Sequence, residues 1–353
     1  MRTLLAFTLL LLPAPAYCGD WNARAAAEYL DGRQKEWFAW PVAKTTGGVC
    51  VSCHTGATYL IARSALRRAL GEGTPTEYEA GLMASLRARV DIRDPQQWKP
   101  GVKEPNGSQM LGVEAVWAAL FLAAEDAPKG KLSADTEKAF DRLWALQRPD
   151  GDSKGAWQWN SLDLDPWEMP DSEFFGAAMA ALATGLAPGG YQARPAINVN
   201  VESLRQYLRS HEPAQPLHNR LLVLWASSRL GATLTGERRQ AILNDLWKRQ
   251  QDDGGWTLEA LGAWKARAAA PRQEGSNSYA TALAAFAVQT AGVRRNQPAL
   301  ARALAWLEKH QDRESGSWDA VSMNKEYKPD TMPLRFMRDA ATAYAALALI
   351  GTY

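Results

Sequence analysis

Six segments rich in alanine and leucine recur along the chain at intervals of 47 to 62 residues. They are apolar around most of their circumference, which is typical of helices buried on every side. Their first residues are His54, Glu114, Asp171, His218, Asn277 and Asp339. Several close on a glycine, as helix C-termini tend to do: Gly185, Gly231, Gly292 and Gly351. A repeat at this spacing restricts the chain to an architecture of stacked structural units.

A second, amphipathic helix is predicted ahead of each apolar one. These six helices are expected at Ala25–Trp37, Thr76–Val90, Ser133–Gln147, Val201–Ser210, Glu237–Gln250 and Ala299–Gln311. In the fifth, Ile242, Leu246 and Trp247 share one face while Arg238 and Lys248 point away. A one-sided apolar stripe places such helices on an outer surface. Six outer–inner pairs favour an all-α, closed two-layer ring; an open solenoid is the alternative, and no strand alternation is long enough to predict a sheet.

The connections after three outer helices share a motif in which a glutamine is followed by Gly-x-Trp or Gly-Trp. The pairs are Gln147 with Trp157, Gln250 with Trp256, and Gln311 with Trp318. A partial copy, Gln34 with Trp37, lacks the glycine. This arrangement resembles the QW repeat of the squalene/hopene cyclase–prenyltransferase superfamily. The resemblance covers about residues 20–353 and implies a single domain, residues 19–353, folded as an (α/α)6 barrel or α-toroid, with its tryptophans as braces.

The chemistry of that superfamily is not implied by these residues. Its cyclases protonate a polyene with an aspartate of a D-x-D-D motif, which is absent from this sequence. The nearest acidic cluster runs from Asp163 to Asp165 with the wrong spacing, and Asp171 is explained as a helix N-cap. The zinc of protein prenyltransferases needs Asp, Cys and His, and both plausible cysteines belong to another motif. Fold alone therefore does not assign the function.

Cys50-Val51-Ser52-Cys53-His54 reads C-x-x-C-H, the signature of c-type haem attachment. Two thiols at this spacing can each add across a haem vinyl group, and the histidine then ligates the iron. One covalent haem c is therefore predicted on a loop at residues 47–55, with Gly47 and Gly48 allowing a sharp turn. A Cys50–Cys53 disulfide is the main alternative to haem attachment. A thioredoxin-like redox pair is expected near a βαβ pattern, which the sequence does not show. A zinc site would need two more ligands.

The second axial ligand is predicted from the ring geometry. His218 begins the fourth inner helix, opposite the first, so it is the leading distal candidate, although an N-cap histidine is an equal alternative. Met169 and Met332 precede other inner helices, each followed by proline, and are the alternative distal ligands. Arginines near the same rim can donate to haem propionates: Arg220, Arg335 and Arg338.

The first 18 residues are predicted to be a signal peptide. Arg2 supplies the positive charge, Leu4–Leu12 the apolar region and Ala14-Pro15-Ala16 a cleavage site, while Tyr17 argues against lipidation of Cys18. The mature protein is therefore expected in the periplasm or outside the cell, with no integral membrane segment. A net charge of +2 gives no general attraction to nucleic acid.

Three functions remain open from the sequence. The first is an exported c-type haem protein that acts in electron transfer or haem-based redox chemistry, with a redox protein or a small molecule as partner. The second is a terpenoid cyclase-like enzyme. The third is a toroid that binds an apolar ligand, with Cys50–Cys53 as a simple disulfide. The motif favours the first, and whether the chain is an enzyme is left open.

Overall fold

The structure, a computed structural model, describes residues 20–351, which contain fourteen α-helices and one two-stranded antiparallel sheet. In chain order the elements are α1 (Ala23–Ala39), β1 (Lys44–Thr45), β2 (Gly48–Val49), α2 (Gly56–Ala69), α3 (Glu77–Arg87), α4 (Pro95–Trp98), α5 (Asn106–Asp126), α6 (Ala134–Ala145), α7 (Glu173–Leu186), α8 (Asn198–His211), α9 (Leu217–Ser227), α10 (Gly236–Lys248), α11 (Leu258–Leu261), α12 (Ser278–Thr290), α13 (Pro298–Lys309) and α14 (Phe336–Ile350). The signal peptide predicted over residues 1–18 lies outside the described residues.

The long helices form two layers, as predicted. In the inner layer, α5 packs on α7, α7 on α9, α9 on α12, α12 on α14 and α14 on α2. The sixth side, between α2 and α5, is bridged by the outer helix α3, which packs on both. The outer helix α1 packs on both α2 and α14, so the first and last parts of the chain meet. The fold is therefore the all-α toroid and not an open solenoid.

Three QW copies brace this ring in the same way. Each tryptophan donates its indole N–H to a carbonyl of the preceding outer helix at 2.7 to 2.9 Å: Trp157 to Leu143, Trp256 to Leu246 and Trp318 to Leu307. Each glutamine amide donates both to its own loop and to the beginning of the next outer helix: Gln147 to Gly155 and Asn200, Gln250 to Gly254 and Ala299, Gln311 to Gly316 and Asn22. Because Asn22 is the N-cap of α1, Gln311 closes the ring.

Several predicted helix boundaries were wrong for local reasons. Helix α5 begins at Asn106, directly after Pro105, and α14 begins at Phe336, so Asp339 lies inside its first turn and is not a cap. Asp171 is not an N-cap either. Ser172 takes that position, because its hydroxyl accepts the Met169 N–H and closes a tight turn there.

Of the four glycines predicted to end inner helices, two do so in the structure. Gly292 and Gly351 follow α12 and α14 with positive φ values of 87° and 72°, which glycine adopts without strain. Gly185 instead lies within α7. After α9, the positive φ of 61° belongs to Ala232 and not to Gly231.

Aromatic side chains occupy the centre of the toroid. Trp117, Phe175, Tyr279 and Tyr344 are at most 3% exposed. Trp117 and Phe175 have ring centroids 6.0 Å apart, and Tyr279 and Tyr344 have theirs 6.1 Å apart. These rings come from four inner helices and pack in pairs inside the toroid.

Within residues 20–351, one helical stretch is long and apolar enough to cross a membrane. It runs from Asn106 to Lys129 and includes α5. In the structure, 78% of its most apolar window is buried by the neighbouring helices. That burial is typical of the core helix of a packed ring, which α5 is.

Candidate functional site

The loop that carries the C-x-x-C-H motif is anchored by the short β1–β2 hairpin. Thr46 and Gly47 form its turn, and the two glycines at and directly after it, Gly47 and Gly48, have positive φ values of 74° and 148°. A Cβ atom on Gly48 would lie 2.1 Å from the Ser85 Oγ of α3, so the backbone approaches closer than any other residue permits. The Arg89 guanidinium donates to the Val49 carbonyl at 3.0 Å. The chain therefore enters Cys50 from a fixed position against α3.

The partial first QW copy holds the same loop from the other side. The Trp37 indole N–H donates to the Cys50 carbonyl at 2.8 Å, and the Gln34 amide donates to the Thr55 carbonyl at 3.1 Å. Ser52 Oγ accepts the backbone N–H of Thr55 and Gly56 and so caps the start of α2. In the other copies the glutamine and tryptophan brace neighbouring repeats. In this copy Gln34 and Trp37 fix both ends of the motif loop.

Cys50 and Cys53 are free thiols in the structure, Cys50 partly exposed and Cys53 buried. Burial raises the pKa of Cys50 to about 12, and it raises the pKa of Cys53 well above its ordinary value. The nearby Glu168 carboxyl adds to both shifts. The two sulfurs are therefore protonated thiols and not thiolates at neutral pH.

His54 is held in one orientation by its neighbours. Its ring stacks on Phe336 with centroids 3.6 Å apart, and Trp37 meets it edge-on at 5.8 Å. Its Nδ1 lies 3.1 Å from the Thr55 Oγ1. Among the residues described, Nε2 has no hydrogen-bond partner. Burial, followed by the charge of Arg33, lowers the pKa of His54 to about 3, so the imidazole is neutral and can act as an iron ligand.

His54 lines a cavity of about 160 Å³ at the end of the barrel where the inner helices begin. Three loops contribute to its wall, the motif loop itself and the segments that precede α7 and α14. The lining residues from these two segments and from the first turn of α14 are Leu164, Asp165, Trp167, Glu168, Ser322, Asn324, Tyr327, Pro333, Phe336 and Met337. The prediction that His54 lies at this rim agrees with the structure.

The donors of the motif fit a c-type haem, whereas the cavity alone does not enclose one. Two reduced thiols and a neutral imidazole lie on one short loop, and Nε2 of that imidazole has no hydrogen-bond partner within residues 20–351. The volume of 160 Å³ is smaller than the roughly 300–1,000 Å³ of pockets that bury a drug-sized ligand. A porphyrin held by this loop would therefore extend beyond the cavity towards the rim. Within residues 20–351, no cluster of three or more His, Cys, Asp or Glu forms a metal site without such a group.

Glu168 is a site residue that the sequence reading missed. It lines the cavity with His54, and its carboxylate accepts a hydrogen bond from the Asn160 amide at 3.3 Å. Burial raises its pKa, and the Asn160 hydrogen bond opposes that shift. Glu168 lies between Asp165 and Asp171, inside the acidic segment that the sequence comparison with the D-x-D-D motif considered. The turn that returns the chain into the cavity is a β-bridge between Leu164 and Glu168, which no sequence period signals.

His218 does not reach the cavity of His54. It is fully buried near the start of α9, where Nε2 lies 2.8 Å from the Tyr279 hydroxyl and Nδ1 lies 2.9 Å from Asn219 Oδ1. Both ring nitrogens are thus engaged. Trp167, whose ring is 5.6 Å from that of Tyr279 and 6.1 Å from that of His54, stands between the two histidines. The prediction that His218 faces His54 was wrong, because these aromatic side chains lie between the two histidines.

The two methionine candidates also lie outside the cavity lining. Met169 has its sulfur 3.8 Å from the Arg267 guanidinium. Met332 is buried, and its carbonyl accepts a hydrogen bond from Arg33. The methionine that does line the cavity is Met337, in the first turn of α14.

The three rim arginines are engaged in ion pairs. Arg220 pairs with Glu212 and Asp245, Arg335 with Glu36, and Arg338 with Asp319. A haem propionate would compete with these carboxylates. None of the three arginines lines the His54 cavity.

Comparison with known proteins bears on the second part of the chain. The family model described as the squalene-hopene cyclase C-terminal domain matches residues 218–351. That range spans α9 to α14 and includes the QW copies at Gln250 and Gln311. No curated protein matches the chain. The match supports a terpenoid cyclase-like fold and superfamily; the C-x-x-C-H loop at residues 50–54 lies outside the matched range.

Proposed function

We propose that this chain is an exported mono-haem c-type protein on a terpenoid cyclase-like toroid, and that it acts in electron transfer or haem-based redox chemistry. The observation that carries the proposal is the state of His54. Its neutral ring is fixed by Phe336 and Thr55, and its Nε2 lacks a partner among the described residues beside a cavity. A haem bound there would supply a one-electron Fe(III)/Fe(II) couple.

Cys50 and Cys53 would hold the haem covalently. Each thiol S–H would add across one vinyl C=C bond, so that a C–S bond would form at one vinyl carbon and the thiol hydrogen would move to the other. The addition consumes no oxidant or reductant, and it needs both cysteines as reduced thiols, which they are in the structure. Trp37 and Gln34 hold the backbone carbonyls of Cys50 and Thr55, and so hold the two ends of the loop that carries the sulfurs.

His54 would bind the iron through Nε2, the nitrogen left free by the contact of Nδ1 with Thr55. Phe336 and Trp37 prevent the imidazole from rotating away. Glu168 and Met337 line the same cavity and carry side chains that could approach a bound group, whereas His218 does not line it. The substrate or redox partner would meet the group at the rim.

Polyene cyclisation is less well supported. The cavity beside His54, at about 160 Å³, is small for a polyprenoid, and buried aromatic rings from the inner helices pack in pairs inside the barrel. Glu168 is an acid without the paired carboxylates of the D-x-D-D motif. The cyclase-like features therefore support the scaffold and not that reaction.

The test is an optical spectrum of protein expressed with haem-attachment machinery. We expect a reduced α-band that survives acid–acetone extraction in the wild type, and loss of the retained haem in a Cys50→Ala, Cys53→Ala variant. His54→Gln should retain the covalent group with an altered spectrum. His310→Gln, at an exposed histidine, is the matched control and should leave the spectrum unchanged. A wild-type protein without haem, or with haem removed by acid–acetone, would overturn the proposal.

A further inference from the structure

A hydrogen-bonded chain connects the ring of His54 to a buried carboxylate. Thr55 Oγ1 lies 3.1 Å from His54 Nδ1, and the same hydroxyl donates to Asp339 Oδ2 at 2.8 Å. Thr55 and Asp339 are each 1% exposed, so water does not compete with these bonds.

The direction of this chain follows from the number of hydrogens available. Burial raises the pKa of Asp339, and its buried ion pair with Arg33 at 2.8 Å opposes that shift and favours the carboxylate. A carboxylate accepts only, so the single hydroxyl hydrogen of Thr55 is used on Asp339. The oxygen of Thr55 can then only accept from His54, which places the ring hydrogen on Nδ1. The lone pair of His54 is consequently on Nε2, the nitrogen without a partner among the described residues.

Asp339 is itself held from two further sides. Its Oδ1 accepts hydrogen bonds from the buried Arg33 Nε at 2.8 Å and from the Tyr29 hydroxyl at 2.9 Å. Arg33 also donates to the Met332 carbonyl at 3.1 Å, which fixes the guanidinium against the segment before α14. These bonds leave Oδ2 directed at Thr55.

We propose, on the basis of the haem-binding function above, that Thr55 and Asp339 are positioning residues that select the Nδ1–H tautomer of His54 and raise the basicity of its Nε2 towards iron. Hydrogen bonds from the second nitrogen of a ligating histidine to a carboxylate have this effect in other metal sites. Here a threonine hydroxyl relays the bond from the carboxylate.

The first experiment reads the tautomer without any haem. The Cys50→Ala, Cys53→Ala protein, labelled with ¹⁵N at histidine, gives two-bond ¹H–¹⁵N correlations, and His54 is assigned by the signal lost in His54→Gln. We expect the Nδ1–H form in this background and a mixture of the two tautomers after Thr55→Val. Thr55→Ser should retain the Nδ1–H form.

Thr58→Val is the matched control, because the Thr58 hydroxyl donates to the backbone carbonyl of His54 and not to its ring. It removes one hydroxyl from the same turn and should leave the tautomer unchanged. An unchanged tautomer in Thr55→Val, or an equal change in Thr58→Val, would overturn the proposal. Since this assay uses haem-free protein, it remains decisive even if the wild type proves not to attach haem.

The second experiment measures the reduction potential of the haem-loaded protein. Thr55→Val removes the acceptor of the Nδ1 hydrogen and so lowers the basicity of Nε2, which should disfavour the ferric state relative to the ferrous state. For a change of about tenfold in that ratio, the potential rises by about 59 mV. Asp339→Asn should shift the potential in the same direction. The double variant Thr55→Val, Asp339→Asn should shift the potential no further than the larger single change, because both residues belong to the same series of hydrogen bonds. Additive shifts, or none, would contradict the relay.

Discussion

The amide of Gln311 closes the ring, and replacing it tests that closure directly. Its Oε1 accepts the Asn22 N–H at 2.6 Å, and its Nε2 donates to the carbonyls of Asn22 and Gly316, both at 3.0 Å. Gln311→Leu replaces the polar amide with an apolar side chain of similar size and removes all three hydrogen bonds. At about 1 kcal/mol net each, the free energy of unfolding should fall by about 3 kcal/mol.

Two other copies of the motif provide matched controls within the same chain. Gln147 and Gln250 make the same pair of amide donations, and each accepts one further bond, from Asn200 and Arg302 respectively. In urea denaturation we expect Gln147→Leu, Gln250→Leu and Gln311→Leu to lower the midpoint by similar amounts, with the m value unchanged. If Gln311→Leu lost less than about 0.5 kcal/mol while the other two lost about 3, the ring would not be closed at that point.

Three further predictions concern the motif loop and the buried histidine. Gly48→Ala should lower the free energy of unfolding by more than 1 kcal/mol in urea denaturation, because its Cβ would clash with Ser85 and φ is 148°. Trp37→Phe should increase amide hydrogen exchange of residues 50–55, because the bond to the Cys50 carbonyl is lost. Burial lowers the pKa of His218 to about 4, so the folded state holds it uncharged. The unfolded state therefore binds more protons below pH 6.5, and His218 should contribute a fall in stability of up to about 3 kcal/mol between pH 6.5 and 4. Because the pKa of His54 is also lowered, to about 3, His54 should add a similar fall, so the fall in His218→Asn should be shallower and not absent.

Each of these predictions has a control on the same chain. Gly73→Ala lies where an added Cβ meets nothing within 4 Å, so it should be nearly neutral, and equal losses at positions 48 and 73 would refute the clash. Trp264→Phe also removes an indole bond, to the Leu258 carbonyl, and should leave exchange at residues 50–55 unchanged. His310→Gln should retain the steep pH dependence. A wild-type stability independent of pH from 6.5 to 4 would contradict the account of His218.

The sequence predicted the fold because its signals are local and repeated. The apolar circumference of the inner helices, the stripe of the outer ones and the recurring Gln and Trp each follow from short-range spacing, and the six pairs agree with the structure. Helix starts such as Asn106 and Phe336 were missed because a turn or a proline, and not a polar cap, sets them.

The site was predicted only in the part that is contiguous in sequence. The motif from Cys50 to His54 and its place at the rim could be inferred from spacing. Glu168, Phe336 and the Thr55–Asp339 bond could not, because they depend on how irregular loops return into the cavity. His218 looked opposite on a ring diagram, but the intervening Trp167 and Tyr279 side chains have no signature in a helical period.

The mass of the intact protein under denaturing conditions tests the central proposal most directly. Protein expressed with haem-attachment machinery should carry the mass of one haem, and Cys50 and Cys53 should resist alkylation in the unfolded chain. The Cys50→Ala, Cys53→Ala variant should have the mass of the chain alone. A wild-type chain without added mass, whose Cys50 and Cys53 are both alkylated or joined in a disulfide, would contradict covalent haem attachment.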